Sequence, residues 1–309
     1  MPNTPQNTPP GRMHADEIPV TASMVHRLLA AQFPHWADLP LTAVSSAGTD
    51  HALYRLGDEF VIRLPRVPSA AEQGLKEYRW LPVFAPQLPL ALPVPLALGQ
   101  PDAQFPYHWT ICRWLEGENV SLDQHGDSIE IAQSLAQFVK TLHQLDASDG
   151  PPPGAHNFGR GVPLAHRDEA TRHSIASLKD LIDTDAALAA WEHALSAAPW
   201  QGNPVWIHGD LQAGNLLVHQ DRLSAVIDFG GMAVGDPACD MQIAWNLFTR
   251  KSREAFRRMV APDDATWARG RGWALSVAVI ALPYYLNSNP PLVAISRRAI
   301  SAVLSDSAD

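Results

Sequence analysis

WIHGDLQAGNLLVHQDRLSAVIDFGGMAVGDPACD, residues 206–240, is the stretch on which the reading of the fold turns. Three short β-prone runs punctuate it or lead into it: Val205-Trp206-Ile207, Leu216-Leu217-Val218 and Ala225-Val226-Ile227. The first enters a loop that carries His208, Asp210 and Asn215, and the third runs directly into Asp228-Phe229-Gly230. A turn at Gln220-Asp221-Arg222 folds the third run back, which returns Asp228 alongside Asn215. Turn formation alone accounts for any one of these polar residues. Together, each beside a predicted strand, they form a set. One carboxylate can orient a hydroxyl and take its proton, while an amide and a second carboxylate offer hard oxygen ligands to Mg²⁺.

The pattern His208-x-Asp210-x-x-x-x-Asn215, followed by Asp228-Phe229-Gly230, has the spacing of kinase catalytic loops and their metal-binding aspartates. Phosphoryl transfer leaves the protein little covalent work. It must hold the phosphates and their magnesium ions and aim one hydroxyl along the line of displacement. His208 reads as a brace for the loop rather than an acid or base. Downstream, Asp236-Pro237 opens a helix as cap and first-turn proline, with Met241, Ala244, Trp245 and Phe248 on its apolar stripe. Asp240, in the first turn, has two readings. It complements the helix dipole, or it is a buried carboxylate that accepts hydrogen bonds from the catalytic-loop backbone.

Upstream of the block the chain divides. Residues 1–17, rich in Pro, Asn and Thr, read as a loose arm. A short helix from Thr21, with Met24, Leu28 and Leu29 on one face, stops near Pro34. Two β-rich runs, 52–56 and 59–64, flank Gly57-Asp58 as a tight hairpin, and Phe60, Ile62 and Leu64 share a face that excludes Arg63. Residues 70–85 read as a helix carrying Glu72 and Glu77; LPLALPVPLALG is extended or turning, and FPYHWTICRWLEGE contains a strand. From Ser128 to Leu145, after the capping candidate Asp127, Leu135, Phe138, Val139, Leu142 and Leu145 recur at helical spacing. Pro151-Pro152-Pro153-Gly154 interrupts; helices are predicted near 166–182 and 185–197 and again from Cys239 onward.

Composition narrows the function. The chain has 309 residues, 46% of them hydrophobic, with 23 Lys plus Arg against 32 Asp plus Glu and a net charge of −9. That balance opposes the phosphate neutralisation on which nucleic-acid binding depends, so no nucleic-acid partner is expected. The two cysteines, Cys112 and Cys239, lack zinc-site spacing and suggest reduced thiols, and no run is long and uncharged enough for a membrane span, so a cytoplasmic protein is expected.

HGDLQAGNLLV, IDFGGMAVGDPACD, SAGTDHALYRLGDEFVIRLPR and RWLEGE resemble the aminoglycoside phosphotransferase family over about residues 40–250. The resemblance implies an α+β, two-lobed, protein-kinase-like fold with a small antiparallel-sheet N-lobe and a larger, mostly helical C-lobe. The expected division is an arm at 1–17, a nucleotide-binding lobe at 18–112, a hinge at 113–117 and a helical lobe with catalytic loop and acceptor site at 118–309. It implies Asp210 as catalytic base, Asn215 and Asp228 as Mg²⁺ ligands, and a purine held through backbone atoms near Arg113, Trp114 and Leu115. The loop 45–50, with only Gly48 and no G-x-G-x-x-G, has a phosphate-site role through the resemblance alone. Arg63 stands where the kinase pattern has Lys, with Glu77 as its helix partner and Glu72 as second choice; a surface strand cation is the competing reading of Arg63. Gln212 stands where relatives commonly have His.

The implied activity is a small-molecule kinase that moves the γ-phosphoryl of ATP or GTP, with Mg²⁺, to a hydroxyl of an aminoglycoside-like acceptor. A metabolite kinase for a sugar, choline-like amine or amino alcohol, and a silent nucleotide-binding regulator, are the alternatives. Either a monomer or a dimer fits. Trp267, Trp273, Tyr284, Tyr285 and Asn287 are possible acceptor walls but read first as core, and Asp263-Asp264 could attract amines or simply start a helix.

Overall fold

β-Branched and aromatic residues around Gly57 set the first sheet. The structure, a computed structural model, describes residues 17–44 and 50–306. Two compact units divide the chain, one made of the residues up to Val83 together with Pro93–Leu115, the other of Phe84–Leu92 together with everything from Glu116 on.

The first unit contains helix α1 (Ala22–Gln32), strands β1 (Leu41–Val44), β2 (His51–Leu56) and β3 (Phe60–Pro65), helix α2 (Gln73–Phe84, its last residue in the second unit), and strands β4 (Pro95–Gly99) and β5 (Trp109–Arg113). The sheet is antiparallel throughout, in the order β1-β2-β3-β5-β4. Leu56 pairs with Phe60, so the β2–β3 connection is three residues, Gly57 to Glu59, and not the dipeptide expected; on the other edge of the strand the Glu59 carbonyl accepts from Trp114 N at 2.6 Å, one step beyond the Phe60–Arg113 pair with β5. Ile62 and Leu64 of β3 pack with Leu28 and Leu29 of α1, Tyr54, Leu56, Phe105, Trp109 and Ile111 into one core. Each fully buried Leu or Ile of that kind stabilises by about 1.5–3 kcal/mol. Thr21 caps α1 by accepting from Met24 N at 3.3 Å.

Two further sequence expectations fail here. Glu17, assigned to the arm, is 6% exposed, because Ile18 N donates to Arg66 O and Glu17 lies beside the Arg66 guanidinium; residues 1–16 lie outside the described residues. Glu72 precedes α2 rather than riding on it.

The second unit contains β6 (Glu118–Asn119), α3 (Leu122–His125), α4 (Ile129–Leu142), α5 (Asp168–Ser177), α6 (Thr184–Ser196), β7 (Val205–Ile207), β8 (Leu216–His219), β9 (Arg222–Val226), β10 (Ala233–Gly235), α7 (Ile243–Asn246), α8 (Arg250–Val260), α9 (Asp264–Tyr285) and α10 (Pro290–Ser305). Two small sheets, β6-β8-β9 and β7-β10, sit among the helices. Residues 84–92 join this unit because Ala91 pairs with β9: its N–H donates to Ser224 O and its carbonyl accepts from Val226 N, each at 3.0 Å. Helix α4 buries Leu135, Phe138, Val139 and Leu142 at the predicted spacing, with Ile131 beside them, but it ends at Leu142 and leaves Leu145, expected on the same helix, beyond its end. Its cap is Ser128, which accepts from Ile131 N, not Asp127; the Asp127 carboxylate accepts instead from Thr249 Oγ1. Asp263 caps α9 by accepting from Thr266 N at 2.6 Å, which accounts for the acidic pair as a helix start. Trp273 of α9 is fully buried, as the core reading requires, whereas Tyr284 is exposed. Among the described residues no helix is long and apolar enough to cross a membrane.

Candidate active site

The loop between β7 and β8 is held from beneath by polar side chains of the segment that follows β10. Asp236 caps a 3-10 turn at Pro237–Gln242 by accepting from Ala238 N at 2.9 Å, and the Arg269 guanidinium grips its carboxylate from α9. Inside that turn Asp240 has no solvent exposure. Its Oδ1 accepts from Gly209 N at 2.8 Å and its Oδ2 from His208 N at 3.0 Å, with His143 Nε2 also 3.0 Å away. Of its two readings, the buried carboxylate under the catalytic loop is the one observed. Gln242 donates to Gly209 O and Asn246 to Leu211 O, so successive loop peptides are pinned from one side.

Gly209 is required where it stands. Its φ is +80°, and a Cβ there would lie 2.3 Å from Gly231 O. His208 braces the loop as expected: Nδ1 accepts from Asp210 N at 3.2 Å, Nε2 lies 3.1 Å from Ile227 O, and the ring packs on Phe229 with centroids 4.6 Å apart. An Nδ1 that accepts places the proton on Nε2, donated to the Ile227 carbonyl, so both ring nitrogens are engaged within the fold.

On this platform Asp210 keeps a third of its side chain exposed. Its Oδ2 accepts from Asn215 Nδ2 at 3.2 Å and from Gln212 Nε2 at 3.1 Å; its Oδ1 lies 3.5 Å from Arg160 Nη2. Asn215 Nδ2 also donates to Asp210 O at 2.8 Å. With that amide nitrogen used twice, the carbonyl oxygen Oδ1 is the group Asn215 has left to offer a cation. Asp228 follows directly on a backbone tie to Asn215: Ile227 N donates to Asn215 O at 2.9 Å, one step beyond the last β8–β9 pair, Leu216 with Val226. Asp228 adopts φ +63°, a left-handed conformation uncommon outside glycine and enriched at functional positions. An amide oxygen and a carboxylate are hard ligands of the kind Mg²⁺ takes in ones and twos, completing its shell with water and phosphate oxygens. Among the described residues no cluster of three or more His, Cys, Asp or Glu is arranged to hold a metal.

In the first unit Arg63 of β3 is 8% exposed and forms an ion pair with Glu77 of α2, which is fully buried. Arg63 is therefore not a surface strand cation, and Glu77 rather than Glu72 is its partner. Arg113 is exposed beside Glu59, Trp114 lies under the Arg55 guanidinium at 4.5 Å, and Leu115 is half-buried. The Trp114 N–H is already used by Glu59 O. Gly48 lies outside the described residues.

The sequence reading missed Arg160, Asn157, His143, Gln242 and Asn246. Asn157 is fully buried and donates to Gly231 O and Arg160 O. The only local sign was the glycine-rich stretch around it, which read as a break between helices.

Residues 42–273 match the family described as "Phosphotransferase enzyme family". An aminoglycoside 3'-phosphotransferase of Escherichia coli is 24% identical over 162 residues, which span 50% of this chain and 57% of that protein's own length. A macrolide 2'-phosphotransferase, MphH of Brachybacterium faecium, superposes with a TM-score of 0.60 at 25% identity over 91% of this chain and 97% of its own. The GDP and kanamycin complex of an APH(2") enzyme gives 0.69 at 17% identity over 92% and 98%. The fold is thus the two-part, kinase-like one of these enzymes, and since the match covers three quarters of the residues, the chain belongs to the phosphotransferase enzyme family.

Proposed function

We propose that this protein transfers the γ-phosphoryl group of ATP or GTP to a hydroxyl of a small molecule. The observation that carries the reading is the triad in the second unit. Asp210 is partly exposed with one carboxylate oxygen held by Asn215, Asn215 Oδ1 remains for a cation, and Asp228 is tied in by the Ile227–Asn215 hydrogen bond. In the proposed reaction Asp210 orients the acceptor hydroxyl and accepts its proton as the oxygen bonds to the γ-phosphorus. The bond from that phosphorus to the bridging oxygen breaks, and a nucleoside diphosphate leaves with the electron pair. Asn215 and Asp228 are the residues that would hold Mg²⁺, which when bound neutralises phosphate charge. Arg63, braced by Glu77, is assigned to the nucleotide phosphates, and the backbone near Arg113, Trp114 and Leu115 to the purine. A cytoplasmic site of action goes with that donor supply, and two buried free thiols fit a reducing compartment.

The acceptor belongs to the small hydroxylated molecules. A relative solved with kanamycin and another named for macrolides supply the first acceptors to try. The test is turnover of MgATP and MgGTP with kanamycin, gentamicin, erythromycin and simple amino alcohols, products being read by mass spectrometry. Asp210→Ala is expected to abolish product formation while leaving nucleotide affinity in place. An Asp210→Ala protein as active as the parent defeats the assignment, and nucleotide binding without transfer to any acceptor points to a regulator instead.

A further inference from the structure

We propose that Arg160, which no motif in the sequence marks, is a positioning residue for Asp210 in this reaction; the inference rests on the phosphotransfer reading above. The guanidinium reaches Asp210 from a loop built to deliver it. Asn157 closes that loop: its Oδ1 accepts from Gly154 N at 2.9 Å, and its Nδ2 donates to Arg160 O at 2.8 Å and across to Gly231 O at 3.2 Å. Gly161, at φ +85°, presses onto β7, where a Cβ would lie 2.5 Å from Ile207 Cδ1, and its carbonyl accepts from Asp236 N at 2.9 Å. At Gly209 in the catalytic loop, the place of a missing Cβ is 3.1 Å from Arg160 Cβ. The loop is therefore tied to Gly231, Asp236 and the end of β7 by backbone and Asn157, without help from the Arg160 side chain.

What the side chain does is different. Nη2 lies 3.5 Å from Asp210 Oδ1 with the guanidinium 16% exposed, and Nη1 is buried with no hydrogen-bond partner among the described residues. A largely buried cation costs desolvation, and here the one carboxylate paired with it is the proposed base. A second guanidinium, that of Arg167, is close enough to feel its charge. Arg167 is fixed by Ser276 Oγ at 2.8 Å and lies over the Trp273 ring, and burial together with the Arg160 charge brings its pKa down to about 10. Oδ2 accepts from the Asn215 and Gln212 amides and Oδ1 faces a full positive charge, so both carboxylate oxygens have a partner that favours one orientation toward an incoming hydroxyl. Gln212, neutral itself, supplies no charge to that arrangement.

The experiment compares the parent with Arg160→Ala, Arg160→Gln and Arg160→Lys, measuring Mg-nucleotide turnover with the acceptor panel and with water, and nucleotide Kd separately. Arg160→Ala and Arg160→Gln are expected to lower kcat roughly 100-fold, the scale of a misaimed reacting group, with nucleotide Kd unchanged. Arg160→Lys should retain part of the rate, and guanidinium chloride at low millimolar concentration should restore rate to Arg160→Ala but add nothing to the parent. Parental kcat in both neutral variants overturns the proposal, as does a loss that neither Lys nor guanidinium relieves, or a loss confined to nucleotide Kd. A parent protein with no turnover on any acceptor or on water defeats the phosphotransfer reading itself and this inference with it. A parent that turns over beside equally active variants defeats this inference alone.

Discussion

Removing the Asp240 carboxylate measures how much the catalytic loop depends on what lies beneath it. Three groups converge on this fully buried side chain: the backbone N–H of His208, the backbone N–H of Gly209 and the His143 ring. Asp240→Ala strands the backbone donors of two buried residues. Each stranded donor costs about 1–3 kcal/mol, so the substitution should cost about 2–6 kcal/mol. Asp240→Asn keeps the shape but offers one acceptor oxygen, which leaves one N–H facing an NH2 group; its expected cost is about 1–3 kcal/mol. Urea unfolding followed by far-ultraviolet circular dichroism resolves both. With an m-value of about 3 kcal/mol/M, a 3 kcal/mol loss moves the midpoint down by about 1 M. The order parent, Asn, Ala in stability should be matched by the same order in turnover, since the loop that carries Asp210 is what loosens. Both variants within about 0.5 kcal/mol of the parent, the usual range for neutral surface changes, would falsify the argument that these hydrogen bonds hold the loop.

Glu77→Ala leaves the Arg63 cation buried without its carboxylate and should destabilise by about 3–5 kcal/mol in urea, while Arg63→Met with Glu77→Leu recovers most of the loss; an Ala variant as stable as the parent contradicts a tight pair. Cys112, pushed up to about 11 chiefly by burial, should resist maleimide at pH 8 in the native protein and react on unfolding, and rapid native labelling at that residue counts against its burial. The Asp102 carboxyl is held down to about 2, first by the Arg27 hydrogen bond and then by the Gln104 and Phe105 N–H groups. A depressed folded pKa contributes stability that is present above the unfolded value of about 4 and is lost as pH falls through about 2. Thermal melts in that window should therefore fall more steeply for the parent than for Asp102→Asn, and parallel curves would remove Asp102 from the account.

How much of this was legible depends on how far apart in sequence the partners lie. The neighbourhood of Asn215 and the Ile227–Asp228 step could be read because only two short strands and one turn lie between them, and local rules for strands and turns suffice at that range. Asp240 could be read only as one of two alternatives, since its helix-start position was visible but its partners His208 and Gly209 were not. Arg160 carried no signal, because a Pro- and Gly-rich stretch looks the same whether it is a passive break or a loop wedged against β7. Asp127 and Ser128 are both good caps, and the choice fell to Ser128 once Thr249 engaged the aspartate. Glu77, the first choice for the Arg63 partner, is the one found, and Glu72 drops off the helix because α2 begins at Gln73, a boundary that propensity alone does not fix to a residue.

The pairing of Ala91 with Ser224 and Val226 bears on any attempt to cut this protein in two. The chain passes from one unit to the other after Val83, after Leu92 and again after Leu115, so no single scission separates them cleanly. A fragment ended at Leu115 carries nine residues folded for a neighbour it no longer has. One begun at Glu116 loses the short backbone cover over the outer side of β9 and presents that strand as an open template for association with other copies. Excision experiments should carry the 84–92 strip across by fusion to the second half, or leave the chain whole.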